Sequence, residues 1–211
     1  MIIRTPISKL LVLVLSLLIS SCASFYKPLS PDTVSFKNEN SNDGIEVAYK
    51  YNILAERGNK KYAKKEAKKD VKLIAIKITN NTDHDISTAD NLEFYAGDLA
   101  LNLLDPLTTQ KILKQHVAGY LPYLLLSFTR LTITVNSPTV YSEDHYPIGL
   151  IIGPGIMLGN MLAAANANNK MHEELKAFDI RNTLIKKGES AYGIIAVRGM
   201  DYDPITARIK K

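Results

Sequence analysis

The chain contains a single cysteine, Cys22, and it directly follows a short apolar run. One cysteine cannot close a disulfide within the chain, and it cannot supply a cysteine-rich zinc site or an iron–sulfur cluster. The fold must therefore be held by packing and hydrogen bonds. The segment before Cys22 has three parts: a basic start (Arg4, Lys9), an apolar stretch Leu10–Ile19, and two small residues, Ser20 and Ser21. A membrane-spanning helix needs about 20 apolar residues, and this stretch is roughly half that. The layout is that of a secretory signal peptide, but the Ala-x-Ala-like triplet of an ordinary cleavage site is missing.

The tetrad Ile19-Ser20-Ser21-Cys22 resembles the lipobox of bacterial lipoprotein precursors: an aliphatic residue, two small ones, then cysteine. Its one departure is Ile19 where Leu is favoured. The resemblance implies a diacylglycerol on the Cys22 sulfur, removal of residues 1–21, and acylation of the new amine. Each buried methylene contributes about 0.8 kcal/mol, so two or three chains on one residue make release negligible. Acylation would also leave no thiol for catalysis. Ala23 and Ser24, with no Asp behind the cysteine, resemble the sorting pattern that favours the outer membrane. Loss of residues 1–21 lowers the formal charge from +5 to +3, because Arg4 and Lys9 go and no acid lies there. The remaining stretch of about 190 residues is long enough to bury a core as one domain.

Residues 22–44 read as a lipidated cysteine and flexible tether, turn-rich and without periodicity. As a coil, such a tether spans roughly 25 Å root mean square. Beyond it the pattern turns to strands. Ile45, Val47, Tyr49, Tyr51 and Ile53 alternate with polar or small residues, a half-buried strand. Val71–Thr79 is apolar on both faces at its middle, as a central strand is, and it ends in the turn Asn80-Asn81-Thr82-Asp83. Leu92–Tyr95 and Leu99–Leu103 flank a hairpin turn. Alternation recurs at 131–135, 191–197 and 205–209. Strands separated by turns predict a mainly β, α+β chain built as an antiparallel sandwich over 45–211. Ile76–Ile86 resembles the strand and Asn-rich turn of immunoglobulin-like modules in bacterial envelope proteins, and Lys187–Ile195 is similar to a late strand of the same modules. The resemblance implies an immunoglobulin-like sandwich and no particular activity.

Residues 106–177 break the strand rhythm. Leu107–Phe128 has helix-like apolar spacing interrupted by Gly119 and Pro122. Tyr146–Ala165 is a second apolar run, expected to be helical from about Pro154. Gly155, Gly159 and Ala163 recur every four residues and form a candidate helix-packing ridge. Three readings compete for this insertion: a helical hairpin shielding the sandwich, a surface for a protein partner or membrane interface, and a spanning segment.

The basic stretch 57–72 holds eight bases and two acids. As a charged connector it is a solvated loop or short helix. Lys60, Lys61, Lys64, Lys65, Lys68 and Lys69 are also candidate contacts to an anionic surface such as lipid headgroups or acidic glycans. Catalytic motifs are incomplete. Gly153-Pro154-Gly155 followed by Gly159 misses a dinucleotide fingerprint, because Leu158 stands where the third glycine is needed. His172-Glu173-Glu174-Leu175-Lys176 carries lysine where a second zinc ligand belongs. Glu143-Asp144-His145 reads as a solvated loop. No Gly-x-Ser-x-Gly elbow occurs. Asp201 and Asp203 would need a cleft between them for glycoside chemistry. Asp32-Thr33-Val34 resembles a short O-glycosylation site. The expectation is a non-catalytic, lipid-anchored envelope module with no cofactor, a membrane attachment through diacylglyceryl-cysteine, an envelope protein as partner, and no nucleic acid. A glycan-active envelope hydrolase and a membrane-inserting accessory using residues 146–165 are the alternatives.

Overall fold

The computed structural model describes residues 23–137 and 139–210. Cys22 and the apolar run before it lie outside the described residues. The described chain divides into two compact units. Tyr26–Gln115 and Ala167–Lys211 form a sheet unit. His116–Asn166 belongs with the residues preceding Tyr26 in an apolar unit. The stretch 45–211, expected as one domain, contributes residues to both units.

Eleven strands run along the described residues: β1 Asn38–Asn42, β2 Ile45–Lys50, β3 Val71–Asn80, β4 Ile86–Ser87, β5 Leu92–Ala96, β6 Leu99–Ala100, β7 Leu131–Asn136, β8 Tyr141–Tyr146, β9 Leu184–Ile185, β10 Ser190–Arg198 and β11 Ile205–Ile209. In the sheet unit they pair antiparallel as β1-β2-β3-β10, β11-β5-β6 and β4-β9, and none of these sheets closes. The protein is therefore a β-rich α+β chain of several antiparallel sheets. β3 is the centre, as its double-sided apolar pattern predicts. Ile74, Ile76 and Ile78 share a core with Val47 of β2, Phe94 of β5 and Ile205 of β11. Leu73 and Ala75 point to the opposite face, where they meet Tyr62, Leu113, Met171 and Leu175. Each fully buried Ile or Leu contributes about 1.5–3 kcal/mol, so β3 alone anchors much of the unit's stability.

The two segments that resemble immunoglobulin-like modules pair with each other. β3 and β10 run in register from Val71↔Arg198 to Thr79↔Ser190. Asn80, fully buried, closes their end. Its Nδ2 donates to the carbonyls of His84 (2.8 Å) and Ile185 (3.0 Å), and its Oδ1 accepts from the Thr82 amide at 3.0 Å. Four satisfied contacts are what a buried amide side chain requires, and the Thr82 hydroxyl supplies the fourth at 2.6 Å.

Residues 26–42, read from sequence as a loose tether, are built into the sheet unit. Leu29 is fully buried and Tyr26 nearly so. β1 pairs with β2 over its whole length. The composition is that of a coil, but the segment gains backbone partners. Asn59 brackets Lys27, accepting from its amide at 2.8 Å and donating to its carbonyl at 2.7 Å. Arg57 donates to Leu29 O at 2.9 Å and to Thr33 Oγ1 at 2.6 Å. The strand expected over 45–53 stops at Lys50, and Ile53–Glu56 is a helical turn whose Ile53 and Leu54 are buried.

The insertion 106–177 is only partly helical. Pro106–Leu113 is an α-helix, with Asp105 capping the Thr108 amide at 2.9 Å and Pro106 at the tolerated first position. Val117–Phe128 is a 3-10 stretch with Pro122, which lacks a backbone N–H, inside it. β7 and β8 form a hairpin, of which the sequence pattern marked only β7. The long helix runs Gly149–Ala177, five residues earlier than expected, and carries Pro154 inside it. Its first part (149–166) belongs to the apolar unit and its last part (167–177) to the sheet unit.

Candidate functional site

The basic stretch folds as the helix Lys60–Lys69. Its inner face is set by Tyr62 and Glu66, both buried. Tyr62 Oη donates to Asn168 Oδ1 at 3.0 Å, and Asn168 in turn accepts from the Gln115 amide at 2.7 Å and donates to its carbonyl at 3.0 Å. Glu66 Oε1 accepts from the Leu73 amide at 2.7 Å, tying the helix to β3. Burial pushes the Glu66 carboxyl up to about 7, against the Leu73 amide and Lys72, which favour its charged form. Of the six expected lysines, Lys60, Lys64, Lys68 and Lys69 are exposed and Lys61 and Lys65 half-buried. Lys65 donates to the Lys114 carbonyl, and burial followed by the charges of Lys69, Lys114 and Lys68 lowers its pKa. Lys68 and Lys69 lie in the last turn, where cations complement the helix dipole.

A second focus is Glu174, on the last turns of the long helix. Its carboxylate accepts from Tyr26 Oη (2.5 Å), the Leu29 amide (2.8 Å) and the Ser30 amide (2.8 Å). Burial, then the Glu174 hydrogen bond and charge, drive the Tyr26 hydroxyl far above its usual range. A cleft of about 510 Å³ opens beside it, lined by Tyr26, Pro28, Asn169, Lys170, Glu173 and Glu174. The sequence pattern reads His172–Lys176 as an exposed helix face. It does not reveal Glu174, because a carboxylate that serves distant backbone amides leaves no local pattern.

The other candidates are scattered. His145 bonds Thr132 Oγ1 across the hairpin at 2.9 Å, in β8 rather than in a loop. Asp201 and Asp203 are exposed. The Thr33 hydroxyl is held between Ser30 O (2.9 Å) and Arg57. Arg181 pairs with its neighbour Asp179 through two bonds of 2.8 and 2.7 Å. Among the described residues no three His, Cys, Asp or Glu side chains gather in a metal-binding arrangement.

The third focus is the apolar unit. Its interior is small: Tyr120, Tyr123 and Ala164 are buried, with Ala23, Val117, Leu126, Met157 and Met161 against them. Most of the exposed large apolar side chains of the described protein are found here, among them Phe128 (82% exposed), Ile151 (81%) and Leu162 (70%). The hairpin is exposed on both faces. Its register puts Leu131 opposite Tyr146, Ile133 opposite Asp144 and Val135 opposite Ser142, so one face is mainly apolar. The close backbone approach within this unit uses Gly149 and Gly153. A Cβ at Gly149 would collide with Leu126 O, and one at Gly153 would lie 2.5 Å from Ser127 Oγ and 2.7 Å from Ser127 N. Gly155 and Gly159, from the expected ridge, face open space: a Cβ at either meets nothing within 4 Å. Ala163 is half-buried. The chain matches no protein-family model, no curated protein and no solved structure.

Proposed function

We propose that the protein is a lipid-anchored, non-catalytic component of the bacterial cell envelope, held to the outer membrane through an acylated Cys22. The observation that carries the reading is the tetrad Ile19-Ser20-Ser21-Cys22 behind a charge-flanked apolar run too short to span. The neighbouring residue on the C-terminal side, Ala23, adds support. Its amide donates to Asn160 Oδ1 at 2.5 Å and it packs against the cluster of Tyr120, Tyr123 and Ala164, so the position next to the proposed anchor has a seat on this unit.

The sheet unit is proposed to act as an interaction module, with the immunoglobulin-like sandwich as its finer fold. Support for that fold is the shared core of β2, β3 and β10 with β5 and β11. A non-catalytic role agrees with the use of the enclosed carboxylates: Glu174 and Glu66 hold backbone amides, where a hydrolase needs acids free to meet substrate. The exposed lysines of Lys60–Lys69 remain the candidate contact to an anionic envelope surface, an interaction that salt would weaken.

Intact-mass measurement of the native protein tests the anchor. The expected result is a chain starting at Cys22 with diacylglyceryl and acyl mass added. An unmodified thiol, or a different N-terminus, sinks the reading.

A further inference from the structure

A helix with apolar side chains around most of its circumference is stable only inside a protein core or in lipid. The first half of the long helix has that character and is not in a core. Leu150, Ile151 and Ile152 are 63%, 81% and 41% exposed. Successive residues point about 100° apart at 3.6 residues per turn, so these three sweep more than half the helix circumference. Leu158 and Leu162 extend the exposure along the axis. A folded protein partner presents a face and covers a stripe. A fluid hydrocarbon phase covers every direction at once.

Charge points the same way. Between His116 and Asn166 the only Asp, Glu, Lys or Arg residues are Arg130, Glu143 and Asp144, and none occurs from Tyr146 to Asn169. Lipid demands in addition that polar groups be satisfied from within. The polar side chain inside this apolar half, Asn160, meets that demand: its Nδ2 donates to Ile156 O at 2.9 Å and its Oδ1 accepts from the Ala23 amide. The Thr129 hydroxyl likewise donates to Leu126 O at 2.7 Å. The Ala23 contact also places the chain one residue after Cys22 on this helix.

The 17 residues 149–165 extend about 25 Å at 1.5 Å each, short of the ~30 Å hydrocarbon core. Immersion from one side fits that length better than a crossing does. We propose that the bare start of the long helix, residues 148–162, lies in the apolar phase of a lipid bilayer as a second, non-covalent attachment beside the acyl chains of Cys22. Immersion itself rests on the exposed surface; only its being a second attachment rests on the lipoprotein reading.

The chain has no tryptophan, so a single introduced Trp is a clean reporter. Full-length Ile151→Trp, Leu162→Trp and, as a control in the sheet unit, Leu184→Trp are purified from membranes and reconstituted into phosphatidylcholine vesicles. The expected result is blue-shifted emission from the first two, quenched severalfold by phospholipids brominated on the acyl chain, with the control red and unquenched. Blue-shifted but unquenched emission at 151 and 162 means that protein, a second copy or another partner, covers the surface. Red emission means water covers it. Either outcome overturns immersion, as does equal quenching at all three sites. Should a variant fail to fold, a photoactivatable phospholipid read out on the unaltered chain decides: label is expected in 148–162 and not in β10, and the reverse or an even spread overturns the proposal. Acylation of Cys22 is read separately by the mass of the same sample, so a missing anchor and a dry surface are distinct results.

Discussion

In the sheet unit Ile45, Val47, Ile74, Ile76 and Ile78 are fully buried, whereas in the apolar unit Leu150, Ile151 and Leu162 face outward with the same chemistry. The sheet unit keeps its charges on the surface and its aliphatics on two faces of β3. The apolar unit has almost no charges to place and a core too small for its aliphatics. Exposed large apolar side chains clustered in one unit mark a surface meant to be covered. The contrast teaches that hydrophobicity alone does not say where a core lies. What matters is whether the chain supplies a second layer to close over it.

The sharpest way to break the comparison is to truncate the same residue type in both units. Ile76→Ala should cost about 2–5 kcal/mol, the transfer loss plus a cavity. Ile151→Ala should stay within about 0.5 kcal/mol, because its side chain is 81% exposed. Equal shifts in denaturant midpoint for the two variants would mean that Ile151 is buried within the monomer after all. Next in size is Glu174→Ala, which strips the acceptor from Tyr26, Leu29 and Ser30 at once. It should cost about 2–4 kcal/mol and speed amide exchange at Leu29 and Ser30, while Glu173→Ala, at an exposed neighbour, leaves both slow.

Two glycines then separate packed from open helix face within the apolar unit. Gly153→Ala forces a methyl onto Ser127 and should destabilise by about 1–3 kcal/mol. Gly155→Ala meets open space and should stabilise by roughly 0.5–1 kcal/mol through helix propensity. Thermal melts of the pair decide, and matching shifts would place the contact face elsewhere.

A further expected effect is a pH dependence confined to the sheet unit. The folded state raises Glu66 from 4.5 to about 7, so between those values the native protein holds a proton that the unfolded chain has released. This group's share of stability is therefore full below pH 4.5 and is lost as pH rises to about 7. At about 1.4 kcal/mol per pH unit the loss should be at most about 3 kcal/mol. Glu66→Gln keeps an acceptor for the Leu73 amide and removes the titration. The stability difference between wild type and E66Q should grow across this window, and a constant difference would show that the carboxyl is hydrated.

Much of the sheet unit was legible because strands announce themselves by short-range alternation. β3, its Asn80 turn, β5, β10 and β11 fall where apolar periodicity and turn residues put them. The long helix was legible in kind but not in its start, since Gly149 and Gly153 look like helix breakers until the 126–129 backbone is packed against them. Residues 26–42 were illegible for the opposite reason. Their polar, turn-rich composition reads as coil, and only Glu174, Arg57 and Asn59, each distant in sequence, fasten them. For the candidate lysines, the pattern left a loop or a short helix open and did not reveal that Lys65 is engaged by the Lys114 carbonyl.

By itself the sequence determined the local matters: where most of the strands run, that no disulfide can close within the chain, where the charges are missing, and that Cys22 follows a short apolar run. Those properties depend on residues within a turn or two of each other. Tertiary structure alone decided that Glu174 is a clasp, that the supposed tether is part of a sheet unit, and that the helix packs through Gly149 and Gly153 while its aliphatics stay bare. Burial is a property of pairs of segments far apart along the chain, and no single segment carries the information about what will cover it.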